Sequence, residues 1–388
     1  MEYSRRISSL SESITIAIST LARDLKAGGK DILSFSAGEP DFDTPQLVKD
    51  EAIKAIQEGF TKYTAVSGII ELRKAIVAKL QKDNQLSYTP DEILVSNGAK
   101  HSLFNIFSAL INNEDEVIIP APYWVTYPEL VTYFGGKNVF IQTSDETAFK
   151  ITKEQLKSAI TSKTKMLILN TPSNPTGSIY SRQEIQELAE VLKDTDIWVV
   201  SDEMYEKLIY DTTFTSVASV GTDMLERTIS VNGVSKSAAM TGWRMGYLAS
   251  KDKKLVKMLD NLQSQCTSNI NSITQKASMS VLDGRIDKDI QAMCGEFKKR
   301  RDEAISLFNA IDGVSVVKPE GAFYLFVNIS KIEKDSMKFC KELLEKMGVA
   351  VVPGIGFGID GYFRFSFATD IQSIQKGIER IANFIHQK

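Results

Sequence analysis

The chain has 388 residues, of which 43% are apolar and 24% charged, and this length predicts two domains rather than one. Its net charge of −3 gives no reason to expect nucleic acid or an anionic membrane as a partner. Three widely spaced cysteines, the lack of a secretory signal and the lack of a long apolar run favour a reduced, cytoplasmic protein.

The middle of the chain alternates between predicted strands and predicted helices. Polar or glycine-containing turns end six apolar runs, which cover 92–100, 115–124, 165–172, 196–205, 227–236 and 245–250. Amphipathic helices are predicted between them, for example over 68–83 and 181–194. This alternation predicts an α/β fold with a mostly parallel sheet and helices on both faces. Ligands bind such sheets at the C-terminal ends of the strands.

The pattern changes after about residue 280. A long charged helix is predicted over 285–310, followed by short strands, a helix near 336–347 and a last helix from about 370. These elements predict a smaller α+β domain. We therefore expect an N-terminal segment (1–40) that joins the small domain, a large domain (41–283) and a C-terminal small domain (284–388).

Two strand ends carry groups with useful chemistry. Asp202 ends the apolar strand of VVSDEMY, and a buried carboxylate needs a cation unless it only caps a following helix. Lys236 follows the strand TISVNG and lies among small residues, with Ser235 beside it and Arg244 eight residues later. A lone lysine is usually solvated. Here its neighbours indicate an anion next to a reactive amine, and lysine amines form Schiff bases with carbonyl compounds.

Three further strand ends carry residues that could belong to the same site as Lys236 and Asp202. Asn174 lies in a turn after a strand, and SNGAK (96–100) opens a helix whose N–H groups can bind a phosphate. Trp124 ends another strand and either packs in the core or stacks on a flat ring. The only two histidines, His101 and His386, are poorly placed for catalysis, and no metal site is expected.

Together these motifs resemble the class I pyridoxal-phosphate (PLP) aminotransferases of fold type I. Nine segments match in order over residues 30–370, namely SAGEPDFDTP, KYTAVSGIIELR, SNGAK, PYW, NTPSNPTG, SDEMY, SK with TGWRMGY, PEGAFY and FRFSF. NGVSKSAAMTGWR and the N-terminal SITI most resemble the gamma subgroup of bacterial aspartate aminotransferases. The resemblance implies a seven-stranded, mostly parallel sheet in the large domain and a homodimer with shared active sites.

The resemblance also implies roles around the cofactor. Lys236 would hold PLP as a Schiff base and then move the proton, while Asp202 would pair with the pyridine nitrogen. Tyr205 and Asn174 would bond the ring oxygen, and Trp124 would stack on the ring. The Asn174–Pro175 bond is usually cis in the family.

The phosphate and the substrate have their own implied ligands. The phosphate would be bound by Gly98, Ala99, Lys100, Ser235 and Arg244, and by Tyr63 of a neighbouring subunit. The substrate would be bound by Arg364 at its α-carboxylate, by Gly38, Asn174 and Trp124 near it, and by Lys100 and Thr15 at a distal carboxylate. Many members carry serine where this chain has Gly233, which removes one phosphate ligand. Lys100 serving only the phosphate, and Thr15 only capping a helix, stay open as alternatives.

The implied reaction is a ping-pong transfer of an amino group from L-aspartate to 2-oxoglutarate, giving oxaloacetate and L-glutamate. An aromatic amino acid or prephenate aminotransferase is the nearest alternative, and a PLP-dependent carbon–sulfur lyase is a more distant one. A PLP-sensing transcription regulator is disfavoured because the chain has neither the length for a DNA-binding domain nor a basic face.

Overall fold

The structure is a computed structural model that describes residues 3–12 and 14–387, so Ser13 of the SITI segment lies outside it. The strands are β1 (Leu33–Ser34), β2 (Ile93–Asn97), β3 (Glu116–Ala121), β4 (Lys137–Gln142), β5 (Thr164–Asn170), β6 (Trp198–Asp202), β7 (Thr228–Gly233), β8 (Met245–Ala249), β9 (Ser315–Val316), β10 (Tyr324–Asn328), β11 (Val349–Ala350), β12 (Val352–Pro353) and β13 (Tyr362–Ser366). The helices of the first half are α1 (Arg5–Ser8), α2 (Ile14–Ala27), α3 (Gln46–Gln57), α4 (Ile70–Asn84), α5 (Ala99–Leu110), α6 (Thr126–Tyr133), α7 (Lys153–Ala159) and α8 (Arg182–Leu192). Those of the second half are α9 (Thr222–Arg227), α10 (Lys253–Cys266), α11 (Ser272–Leu282), α12 (Asp287–Asn309), α13 (Ser336–Met347) and α14 (Ile371–His386).

A seven-stranded sheet forms the centre of the chain, with the strand order β2-β8-β7-β6-β5-β3-β4. All neighbours pair in parallel except β8, which is antiparallel to both β2 and β7. The predicted fold class, a mostly parallel seven-stranded sheet in an α/β protein, is therefore confirmed. The six apolar runs correspond to six of these strands, and β4 is the one that they did not include.

Both faces of this sheet are covered by apolar packing. Along β2, Leu94 packs into one buried cluster and Val95 into another, and along β8 the same alternation separates Leu248 from Tyr247. Strand β7 is buried along its whole length. A strand covered on both faces has no polar face to the solvent, which is why these segments read as continuous apolar runs.

The helices on the sheet begin where local chemistry favours them. Helix α8 starts at a capping box. The Ser181 hydroxyl oxygen accepts a hydrogen bond from the backbone N–H of Glu184, and the Glu184 carboxylate accepts one from the backbone N–H of Ser181. Its apolar residues Ile185, Leu188 and Leu192 follow at helical spacing and are buried against the sheet.

Two smaller sheets lie in the remaining sequence. A four-stranded sheet has the order β12-β13-β10-β9, and β1 pairs in parallel with β11. Helices α12, α13 and α14 pack their apolar residues against strands β10 and β13 in one cluster. Among the described residues, no helix combines the length and apolar content that crossing a bilayer would need.

Candidate active site

A cleft of about 240 Å³ lies where the C-terminal ends of β5 and β6 meet the segment after β7. The cleft is lined by twelve of the fourteen residues predicted for the site, namely Thr15, Gly38, Ala99, Lys100, Trp124, Asn174, Asp202, Tyr205, Ser235, Lys236, Arg244 and Arg364. They come from segments far apart in the sequence, because parallel strands bring their C-terminal ends to one edge of the sheet. Gly98 borders the cleft through its contact with Arg244.

Lys236 lies three residues after the end of β7. Its side chain is half-buried, and Nζ donates a 2.6 Å hydrogen bond to the carbonyl oxygen of Gly38. The pKa of Lys236 is lowered to about 8, mainly by burial and in part by the cations Arg364 and Arg244, against the opposing effect of Glu39. About a tenth of this amine is therefore neutral and nucleophilic at pH 7, whereas an exposed lysine with a pKa of about 10.4 would have less than about a thousandth in that form.

Asp202 is buried at the end of β6 and faces the same cleft. The hydroxyl of Tyr127 donates to its Oδ2 at 2.7 Å, and the N–H of Met204 donates to Oδ1 at 3.3 Å. Burial raises the pKa of Asp202, against the lowering effect of these hydrogen bonds and of Lys236. No helix directly follows β6, so the alternative of a helix cap at Asp202 is wrong.

An aromatic wall stands beside these groups. The Trp124 ring meets Tyr127 edge to face, with 5.5 Å between ring centroids. The ammonium of Lys100 lies 5.0 Å from the centroid of the Trp124 ring. Burial, followed by the repulsion of Arg244, lowers the pKa of Lys100. Trp124 is thus a half-buried residue that lines the cleft rather than a core residue alone.

One end of the cleft is built to bind an anion. Gly98, with φ of 80°, is the N-cap of helix α5, and Ala99 and Lys100 of the first turn line this end of the cleft. The first N–H groups of a helix have no partner within it and can bind an anion. Arg244 precedes β8, and within the described part of the chain it donates only to neutral acceptors, the carbonyl oxygens of Thr241 at 3.0 Å and Asn97 at 3.5 Å. An ideal Cβ on Gly98 would lie 2.5 Å from Nη2 of Arg244, so a side chain there would displace this guanidinium and would strain a residue whose φ is 80°.

A second arginine lines the cleft from a strand of the four-stranded sheet. Arg364, in β13, is 2% exposed, and its guanidinium donates to Oδ1 of Asn174 at 3.0 Å and to the carbonyl oxygen of Ser36 at 2.8 Å. Its Nε has no hydrogen-bond partner among the described residues. The Tyr324 ring lies 4.4 Å from this guanidinium, and the Tyr324 hydroxyl is 2.9 Å from that of Tyr205. Burial lowers the pKa of Arg364, and an anion would offset that cost.

Tyr63 is the one predicted residue that the chain does not bring to its own cleft. Its side chain is 91% exposed. The Asn174–Pro175 bond is cis, as the resemblance implied. Thr15 lies inside helix α2, and its Oγ1 is buried without a partner among the described residues, so its side chain does not cap that helix.

Sequence reasoning missed two tyrosines of the cleft that contact predicted site residues. Tyr127 holds Asp202, and Tyr324 connects Tyr205 with Arg364. Tyr324 ends the PEGAFY motif and Tyr127 lies three residues after Trp124, so both lay within or beside segments already singled out. The signal was present, but the hydroxyl partners depend on the tertiary structure.

Residues 30–381 match the family model described as aminotransferase class I and II. The chain belongs to the class I and II aminotransferases. It is 44% identical to an aspartate aminotransferase of Bacillus subtilis over the full length of both chains. It is also 44% identical to an aspartate/prephenate aminotransferase of Nitrosomonas europaea, covering 99% of this chain and 100% of the relative. The solved structure of an aspartate aminotransferase from Thermus thermophilus with maleate is 39% identical, with a TM-score of 0.95 and 99% of both chains covered.

This aminotransferase therefore carries its family's fold around the cleft described above. The resemblance to class I aminotransferases of fold type I is confirmed.

Proposed function

We propose that this aminotransferase binds PLP through Lys236 and transfers the amino group of L-aspartate to 2-oxoglutarate. One observation carries the proposal. Arg244 and Arg364 line one cleft, and their hydrogen-bond partners among the described residues are all neutral. Lys236, whose pKa is about 8, lines the same cleft and lies close enough to both arginines for their charges to lower that pKa. The arrangement suits a ligand with two anionic groups and a reactive carbonyl.

The residues of the cleft fit PLP. Gly98, the first turn of α5, Ser235 and Arg244 can bind its phosphate, and no side chain at Gly98 blocks that position. Asp202 can pair with the pyridine nitrogen, because a buried carboxylate is stabilised by an adjacent cation. The ring of Trp124, which lines the cleft, can stack on the pyridine ring. When bound, PLP supplies an electron sink for the electrons of the substrate Cα–H bond.

Two residues of the chain place and move the substrate proton. Arg364 matches an α-carboxylate in a planar, bidentate geometry that lysine cannot imitate. Holding that carboxylate fixes the Cα–H bond close to Lys236. Once the Lys236 amine no longer holds the cofactor, its Nζ can take the proton from the substrate Cα. The same amine can then give this proton to the cofactor carbon that is bonded to the substrate nitrogen. Two half-reactions of this kind give ping-pong kinetics.

The choice of aspartate rests on the outer part of the cleft. Lys100 and Thr15 both line the cleft, and each offers a polar group that has no charged partner among the described residues. We infer that they bind the distal carboxylate of a dicarboxylic substrate. The Thermus thermophilus relative was solved with maleate, which is itself a dicarboxylate.

Prephenate is the second candidate substrate, since the Nitrosomonas europaea relative is named for both activities. An absorbance experiment tests the proposal. Addition of L-aspartate to the purified enzyme with PLP is expected to convert the cofactor band into that of its aminated form, and Lys236→Ala should abolish turnover. Conversion of the band by phenylalanine and not by aspartate would contradict aspartate as the substrate. Near-native turnover of Lys236→Ala would contradict Lys236 as the residue that binds the cofactor.

The larger organisation is also part of this proposal. We infer a small domain of 284–388 joined by the segment 1–40, which the pairing of β1 with β11 supports, and a large domain of 41–283. We further infer a homodimer in which Tyr63 reaches the partner subunit's phosphate, which the exposure of Tyr63 supports. A cytoplasmic location stays a prediction of the sequence.

A further inference from the structure

The exposed Tyr63 lies on a segment that is otherwise firmly held, and this segment, residues 61–68, is named here the Tyr63 loop. Two buried glutamines bind it. Gln275 donates to Oγ1 of Thr64 at 2.9 Å and accepts from the N–H of Ile69 at 2.8 Å. Gln263 donates to the carbonyl oxygen of Val66 at 3.0 Å.

Gln263 makes a second set of contacts that Gln275 lacks. Its Nε2 also donates to the carbonyl oxygen of Val95 at 2.9 Å, and its Oε1 accepts from Ser96 at 3.0 Å and Asn105 at 3.1 Å. The side chain is fully buried, and its amide thereby uses two donors and two acceptors. A buried amide with every group satisfied holds its neighbours in one arrangement.

The contacts of Gln263 connect the Tyr63 loop with elements that form the cleft. Strand β2 is an edge of the large sheet, and the Tyr63 loop covers that edge, with the N–H of Val95 donating to the carbonyl oxygen of Ser67 at 3.1 Å. Ser96 lies two residues before Gly98, and Asn105 lies on helix α5, whose first turn forms the phosphate end of the cleft. Gln263 therefore joins the phosphate end of its own cleft to the loop that presents Tyr63 outward.

We propose that Gln263 is a positioning residue that couples the two active sites of the dimer. It fixes β2 and α5 at the phosphate of its own subunit, and it fixes the Tyr63 loop, which serves the phosphate of the partner subunit. Gln275 positions the loop alone. This inference rests on the proposed role of Tyr63 in the partner's site.

A mixed dimer of two mass-tagged subunits tests the coupling. The apo dimer is titrated with PLP, borohydride fixes the bound cofactor to Lys236, and intact mass measurement gives the occupied fraction of each subunit. Gln263→Met in one subunit is expected to raise the PLP concentration for half-occupancy in both subunits. The expected shift is about fivefold, the value of one hydrogen bond of about 1 kcal/mol.

Two controls use the same assay. Gln275→Met, at a glutamine buried just as fully, is expected to shift only the unsubstituted subunit. Tyr63→Phe should likewise shift only the unsubstituted subunit, and a failure here would contradict the proposed role of Tyr63 rather than the link through Gln263. With Tyr63→Phe as expected, a Gln263→Met effect confined to one subunit, or absent from both, would overturn the coupling.

A second measurement needs no substitution at Gln263, in case that variant does not fold. One subunit carries Arg244→Ala and an isotope label, so that a limiting amount of PLP fills only the other subunit. Hydrogen exchange should then slow over residues 61–68 in both chains. The substituted chain is protected by direct contact, and the filled chain through Gln263. Protection in the substituted chain alone would overturn the coupling.

Discussion

At the scale of single residues, the cleft depends on what burial does to charged groups. Lys236 and Arg364 have their pKa values lowered and Asp202 has its pKa raised, in each case mainly because burial disfavours the charged form. Such perturbed groups concentrate where a ligand will supply the missing charge. On the surface, lysine, arginine and aspartate would keep their usual pKa values and would not favour binding of a charged ligand in this way.

The pKa of Lys236 makes a prediction about pH. Because burial lowers it to about 8, the neutral amine should increase as the pH rises through that value. The rate at which apo-enzyme captures PLP should therefore rise with pH and level off above about pH 8, as followed by stopped-flow absorbance. A rise that continued to the usual range of an exposed lysine, near pH 10.4, would contradict the effect of burial.

We expect Tyr127 to affect catalysis by holding the Asp202 carboxylate in place. Tyr127→Phe removes the 2.7 Å hydrogen bond and lets the carboxylate turn, so kcat is expected to fall by about tenfold or more. Steady-state kinetics with aspartate measures this change. Tyr180→Phe is a matched control, since its buried hydroxyl accepts from Ile151 outside the cleft and should leave kcat unchanged. An equal loss of kcat in both variants would mean that the effect is only one of stability.

At the scale of elements, the strand ends and helix starts set the geometry of the site. Six strands were predicted because they are apolar on both faces or nearly so. Strand β4 was not predicted because it is an edge strand in which only Ile141 is buried. The antiparallel direction of β8 could not be read from its apolar sequence, because apolar strands look alike in either direction. That direction places Arg244, at its N-terminal end, beside Gly98.

Gly98 at the start of α5 offers a test of that geometry. Gly98→Ala would put Cβ against the Arg244 guanidinium and strain a residue whose φ is 80°, so PLP affinity is expected to fall by about tenfold. Equilibrium dialysis of the apo-enzyme measures it. Gly29→Ala shares the positive φ, of 84°, but its Cβ would meet nothing within 4 Å. It should keep full affinity, and a similar loss there would rule out the contact with Arg244 as the cause.

At the scale of the whole molecule, ion pairs join segments that are distant in the sequence. Arg300 of α12, whose side chain is 8% exposed, donates to both carboxylate oxygens of Asp41, at 2.8 and 3.0 Å. Its guanidinium also lies 5.1 Å from the Phe42 ring. The start of the chain, including Gly38 of the cleft, is thereby held against the C-terminal part.

Asp41→Ala should consequently destabilise the enzyme. It leaves a mostly buried guanidinium with fewer partners, and the free energy of unfolding is expected to fall by about 2 kcal/mol. Urea unfolding of the apo-enzyme measures the loss. Glu58→Gln, which breaks an exposed pair with Lys54 at 3.9 Å, should change the stability by less than about 1 kcal/mol. A comparable loss in both variants would argue against a special role of the buried contact.

The sequence by itself determined the fold class, the order of most elements and the residue types of the cleft. Apolar periodicity reports burial directly. Charged groups such as Lys236 and Asp202 follow apolar strands, where stability of the fold does not require a charge, and this made them recognisable as site residues. Only the tertiary structure decided which of these groups meet. The bonds from Tyr127 to Asp202, from Arg364 to Asn174 and from Gln263 to Val66 join residues 75, 190 and 197 positions apart. Hydrogen bonds over such separations depend on how the strands are ordered and packed, and local sequence patterns carry no record of that arrangement.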